Sequence, residues 1–142
     1  MVKKRSVDET VEVEEAAVVE DVSIPETSND EESQNYAKLF SALQEIRQDK
    51  NVIGYILRNE EKATIDLEDP ARIIEYAMLS SQVFESSNEI SSTFNLDGVE
   101  NALVEGKNIK LLCIKLGENK LSIFMEKTAD HKSILEAFSN LS

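Results

Sequence analysis

The sequence predicts an α/β domain, with three helices packed on both faces of a five-stranded, mainly antiparallel sheet. Three observations carry that reading. Segments of helical and strand periodicity alternate in the order helix-strand-strand-helix-strand-strand-strand-helix. The strands within each group are joined by turns too short for anything but antiparallel neighbours. A chain of 142 residues is long enough for one domain with a real core and short for two.

The elements follow in order. Tyr36, Leu39, Phe40, Leu43 and Ile46 recur at helical spacing, so residues 34–48 read as an amphipathic helix. The run Val52-Ile53-Gly54-Tyr55-Ile56-Leu57 is apolar and β-branched, a first strand, and Asn59-Glu60-Glu61 turns it into a second strand at 63–67. Residues 70–94 read as one long helix, capped by Asp69 and opened by Pro70, whose missing N–H costs nothing in a first turn. After a break at 95–98 come strands at 99–104, 109–116 and 121–126, joined by the glycine-bearing turns 105–108 and 117–119. The run Leu111-Leu112-Cys113-Ile114 is apolar on both faces, which predicts a central, doubly covered strand. The strand at 99–104 carries Glu100 and Asn101 and suits an edge. A last helix at 130–141, with Thr128 as its expected cap, presents Ile134, Leu135, Phe138 and Leu141 on one side.

Charge divides the chain. Residues 1–33 hold eleven Asp and Glu against three Lys and Arg, a net of −8, whereas residues 34–142 have a net of −5. The first part has no aromatic residue and sets its valines among glutamates, as in Val11-Glu12-Val13-Glu14-Glu15. Such a segment cannot bury enough apolar surface to offset the entropy of ordering its backbone, so it is expected to be a disordered tail. Recruitment of a basic partner or shielding of a surface would suit it, although no motif says which. The overall charge of −13 makes nucleic acid a poor partner and anionic membrane surfaces equally poor ones, so neither is expected. No apolar run reaches the roughly 20 residues of a membrane span, the N-terminus lacks a signal peptide's apolar core, and the single Cys113 allows no internal disulfide. A soluble, cytoplasmic protein is expected.

The long helix is the most informative element. At about 100° per residue, Ile73, Tyr76, Ala77, Leu79, Val83, Phe84, Ile90 and Phe94 fall in an arc of roughly 160°, where about 100° suffices for a helix lying on a core. Ser80, Ser87 and Ser91 lie in the same arc and would let another helix come close. The helix would be about 37 Å long, against a domain radius of gyration near 13 Å. These features predict a subunit seam built from Ile73, Tyr76, Ala77, Ser80, Val83, Phe84, Ser87 and Ser91, with Phe84 near its centre. A well-buried central helix with serines to spare is the plainer alternative.

The element order, the strand Val52-Ile53-Gly54-Tyr55-Ile56-Leu57 after the first helix, and the hairpin at 109–124 before a short last helix resemble the roadblock domain, the fold of roadblock-type dynein light chains. The resemblance covers residues 34–142 and leaves the tail outside. It implies a dimer, with itself or with another roadblock-type chain, in which the long helices pack together. It also implies that the third strands join edge to edge, which adds Asn101 and Leu103 to the seam. Such domains act as scaffolds or as regulators of small Ras-like GTPases.

Chemistry is otherwise sparse. One His131 and one Cys113 leave no His-based metal cluster and only one conceivable thiol pair. Gly98, Gly106 and Gly117 stand singly, without a phosphate loop. No catalytic residue, metal or cofactor is expected, and the protein should not be an enzyme. Arg47, Arg58 and Arg72 are the arginines a domain of this kind could present to a partner's phosphate site. No polar cluster marks a pocket for a small-molecule sensor.

Overall fold

The computed structural model describes residues 31–141, with side chains described from Gln34 onward. The expected disordered tail lies almost wholly outside the described residues. The elements are α1 (Glu31–Ile46), β1 (Val52–Arg58), β2 (Ala63–Leu67), a 3-10 turn (Pro70–Arg72), α2 (Ile73–Phe94), β3 (Asn101–Glu105), β4 (Ile109–Leu116), β5 (Asn119–Glu126) and α3 (His131–Ser139).

The five strands form one sheet, ordered β2-β1-β5-β4-β3 and antiparallel throughout. The fold class and element order are those the sequence predicts. β3 is an edge strand, as expected. The doubly apolar β4 is an interior strand, but the central position belongs to β5, which pairs β1 across more than sixty residues of chain. Gly54 sits where β2 crowds β1: a Cβ there would run into the Asp66 carbonyl oxygen and Leu67.

Register assigns the side chains to two faces. Tyr55, Ile123 and Leu112 stand in line across β1, β5 and β4 and belong to one core, with Leu57, Leu121 and Ile114 in the next row. α1 closes over this core with Leu39 and Leu43, and α3 with Ile134 and Phe138. Leu111 and Phe124 pair on the other face and, with Ile56, Cys113 and Phe84, make a smaller core beneath α2.

One cap differs from the sequence reading. α3 is capped by Asp130, whose carboxylate accepts the Ser133 N–H, and not by Thr128. The chain passes Thr128 and buries Ala129 before it turns, so the helix starts one step later and the aspartate is the residue in reach.

Candidate interaction surface

α2 is set in place at both ends. Asp69 accepts the Ala71 N–H at 3.1 Å and starts the 3-10 turn that feeds the helix. At the other end Asn95 takes a left-handed conformation, φ 55°, which terminates the helix. The Ser91 hydroxyl then accepts the Gly98 N–H at 2.7 Å and holds the exit in a fixed direction.

The helix lies along β5. Tyr76 stacks on Phe124 with ring centroids 4.4 Å apart, Ser80 hydrogen-bonds Ser122, and the Lys120 ammonium stands 5.8 Å from the Phe84 ring centroid. Of the seam residues expected from sequence, Ser80 and Phe84 are buried against the chain's own sheet. Ile73, Tyr76, Ala77, Val83, Ser87 and Ser91 are half-buried. Asn101 and Leu103 are exposed on β3, two strands away from β5, in the rows of Leu121 and Ile123, which belong to the face opposite α2.

The free apolar surface of α2 lies on its flanks. Ile74 is 75% exposed, Met78 65%, Ile90 50% and Phe94 68%, on positions where a helix resting on a core by one side ordinarily carries polar residues. Ile74 and Met78 fall outside the 160° arc, and that was their signal in the sequence: apolar residues where the polar side of the helix should be. Ile90 and Phe94 lie at the far end, beside Leu96, which is also exposed. A 22-residue helix is about 33 Å long, whereas the eight-residue strands β4 and β5 span about 27 Å. The last turns of α2 therefore project past the sheet. On this same face the edge strands contribute Ile65 and Val104, both more than a third exposed.

The thiol and the imidazole lie on opposite faces of the sheet and do not form a pair. Cys113 faces α2, where burial pushes its thiol up to about 11 against small opposing effects from the Ser122 hydroxyl and Arg58. His131 is on the opposite face, its Nδ1 2.9 Å from the Lys110 ammonium, which also donates to the Ala129 carbonyl at 2.7 Å. That buried lysine ties β4 to the start of α3, a structural duty. Among the described residues no group of three His, Cys, Asp or Glu is placed to hold a metal ion. No helix among them is long and apolar enough to cross a membrane. Two of the three arginines are engaged locally: Arg47 with Asp66 at 3.5 Å and Arg72 with Glu75 at 2.8 Å. Arg58 donates to the Ser81 hydroxyl at 3.4 Å.

A five-stranded antiparallel sheet in this order, with one long helix on one face and two shorter ones on the other, is a roadblock-type fold. Solved structures agree. The roadblock/LC7 domain from Streptomyces avermitilis aligns with a TM-score of 0.57 at 16% identity, over 72% of this chain and 86% of that one. MglB of Myxococcus xanthus gives 0.61 at 11% identity, over 75% and 89%. The gliding protein MglB from Thermus thermophilus gives 0.59 at 13% identity, over 75% and 84%. No protein-family model and no curated protein matches the sequence. At these identities the likeness is one of fold.

Proposed function

We propose that this protein is a dimeric, non-enzymatic regulator or adaptor of a small Ras-like GTPase, and that α2 and the free edge of β3 form its interaction surface. The observation that carries this reading is the exposure of Ile74, Met78, Ile90 and Phe94 on a helix whose inner side is already used by its own core. Isolated apolar side chains on a surface need no explanation, but four on one helix, beside two more on the sheet edges, mark an interface. The roadblock-type fold supports the same reading, and one MglB structure of similar fold, TM-score 0.59, is of a tetrameric arrangement. In this seam Val83, Ser87, Ser91, Asn101 and Leu103 meet the partner. Ile73, Tyr76, Ala77, Ser80 and Phe84 back it from beneath.

The test has two parts. Light scattering on the eluted protein should give the mass of a dimer. Capture from the native cytosol should then retrieve a small GTPase, identified by mass spectrometry, with different affinity for its GDP and GTP forms. Linkage requires that difference if binding is to shift the nucleotide state. A dimer that binds both forms equally and leaves hydrolysis unchanged is a scaffold of roadblock type without a regulatory GTPase contact. A monomer at high micromolar concentration overturns the seam.

A further inference from the structure

Among the described residues the sheet has two open edges, and only β3 serves the proposed seam. β2 is the other, four strands and about 19 Å away across the sheet. In an antiparallel pair the main-chain bonds to the neighbour alternate along each strand. The Asn59 N–H donates to the Lys62 carbonyl and the Glu68 N–H to the Ile53 carbonyl. Thr64 and Asp66, which fall between in the same alternation, therefore also turn their main chain toward β1. Ala63, Ile65 and Leu67 point their N–H and C=O groups the other way, and no described strand pairs with them.

This edge is held in place from one side. On the closed face the Tyr36 hydroxyl is 2.6 Å from that of Thr64, and Arg47 reaches Asp66 at 3.5 Å, so α1 fixes the strand. On the α2 face Ile65, in line with the core residue Ile56, is 39% exposed. Natural edges are commonly blunted by a lysine, a proline or a bulge. Ala63–Leu67 contains none of these, and its one charge is the aspartate that Arg47 holds. Its ends carry acid instead. Glu60 and Glu61 precede it and Glu68 and Asp69 follow it, all exposed and none in an ion pair among the described residues. Of the cations nearby, Lys62 stands 4.7 Å from the Tyr36 ring centroid, and Arg58 donates to the Ser81 hydroxyl.

We propose that the outer edge of β2 takes up an extended segment of a partner protein as an added strand, apolar beside Ile65 and basic at both ends. Main-chain bonds to Ala63, Ile65 and Leu67 supply the attraction. The carboxylates at the two ends choose the sequence. A second copy of β2 is the wrong occupant, because in either direction two such edges would set their acidic ends against each other. The surface lies outside the seam and stands whatever covers α2.

A synthetic peptide of alternating valine and threonine, with lysines at both ends, is the probe, added to the isotope-labelled full chain. The amides of Ala63, Ile65 and Leu67 should become protected from hydrogen exchange, while those of Thr64 and Asp66, already bonded to β1, should change little. Methylating the peptide nitrogens on its pairing side should abolish the protection, and so should replacing its lysines by glutamates. Ile65→Pro should abolish it too and keep the far-UV spectrum, since the N–H it removes is one that β1 does not use. Binding that survives the methylation, or that shifts only the acidic residues, would reduce the contact to charge attraction and overturn the proposal. Protection of Asn101, Leu103 and Glu105 on β3 in place of the β2 amides would overturn it as well, and so would no protection at millimolar peptide.

Discussion

The two faces of the sheet solve the same problem with different success. On one, α1 and α3 lie side by side and close over a core in which Leu43, Leu57, Leu121, Ile123, Met125 and Phe138 have essentially no contact with solvent. On the other, α2 works alone. Five strands are about 20 Å across, while a helix with its side chains is 10–12 Å wide. One helix cannot reach both edges, and Ile65 on β2 and Val104 on β3 show the shortfall. The closed face holds the domain together. The open face has apolar surface left over, and its helix adds more on both flanks and beyond the sheet.

The sharpest way to break this contrast is to damage each face in turn. Phe138→Ala, on the closed face, should cost about 3–5 kcal/mol of stability in a denaturant titration. It should not alter the mass in light scattering at concentrations where the variant remains folded. An equal loss of association would mean that the closed face also serves the seam.

Rising pH should weaken both faces through groups buried in each. A buried acid whose folded pKa lies above its unfolded value contributes stability that is complete below the unfolded pKa and is lost as pH climbs through the folded one. Burial raises the Cys113 thiol from 9.0 to about 11, so the window is pH 9 to 11, and the loss above it amounts to about 2–3 kcal/mol. On the closed face Tyr55 is pushed higher, first by burial and then by the Asp66 carboxylate. Cys113→Ala should therefore lose less stability than the parent between pH 9 and 11. Parallel curves would show that the thiol keeps its ordinary proton affinity.

On the open face, the double variant Ile90→Asp/Phe94→Asp should change unfolding stability by no more than about 0.5 kcal/mol, because both side chains already face water. Its effect belongs in the light-scattering mass, which should fall to that of one chain. A variant that still dimerises would move the seam to the flank of Ile74 and Met78 or to β3 alone. The smallest effect is expected from deleting residues 1–33, which should leave the far-UV spectrum of the remaining domain intact and lower its melting temperature little. Unfolding or aggregation of the shortened chain would make the tail part of the fold.

Much of this architecture was legible in the chain. The periodicity of Leu39 and Leu43, the β-branched run at Val52, and the short turns at 105–108 and 117–119 act over a few residues, and local sterics and patterning suffice to set them. The excess of apolar residues on the long helix was legible too. Its direction was not. The side around Ser80 and Phe84 meets the sheet, and only docking on β5 shows that Ile74, Met78, Ile90 and Phe94 are what remains outside.

What the sequence by itself determined is the list of elements, their hairpin neighbours and the edge character of β3, because each depends on residues close together in the chain. The tertiary structure alone decided that β1 lies against β5. That pairing gathers Tyr55 with Ile123 in the closed core and sets Arg58 beside Lys120 and Lys115 at the sheet end. No local pattern can specify it: the loop it closes is more than sixty residues long, and its benefit appears only when both faces of the sheet are covered at once.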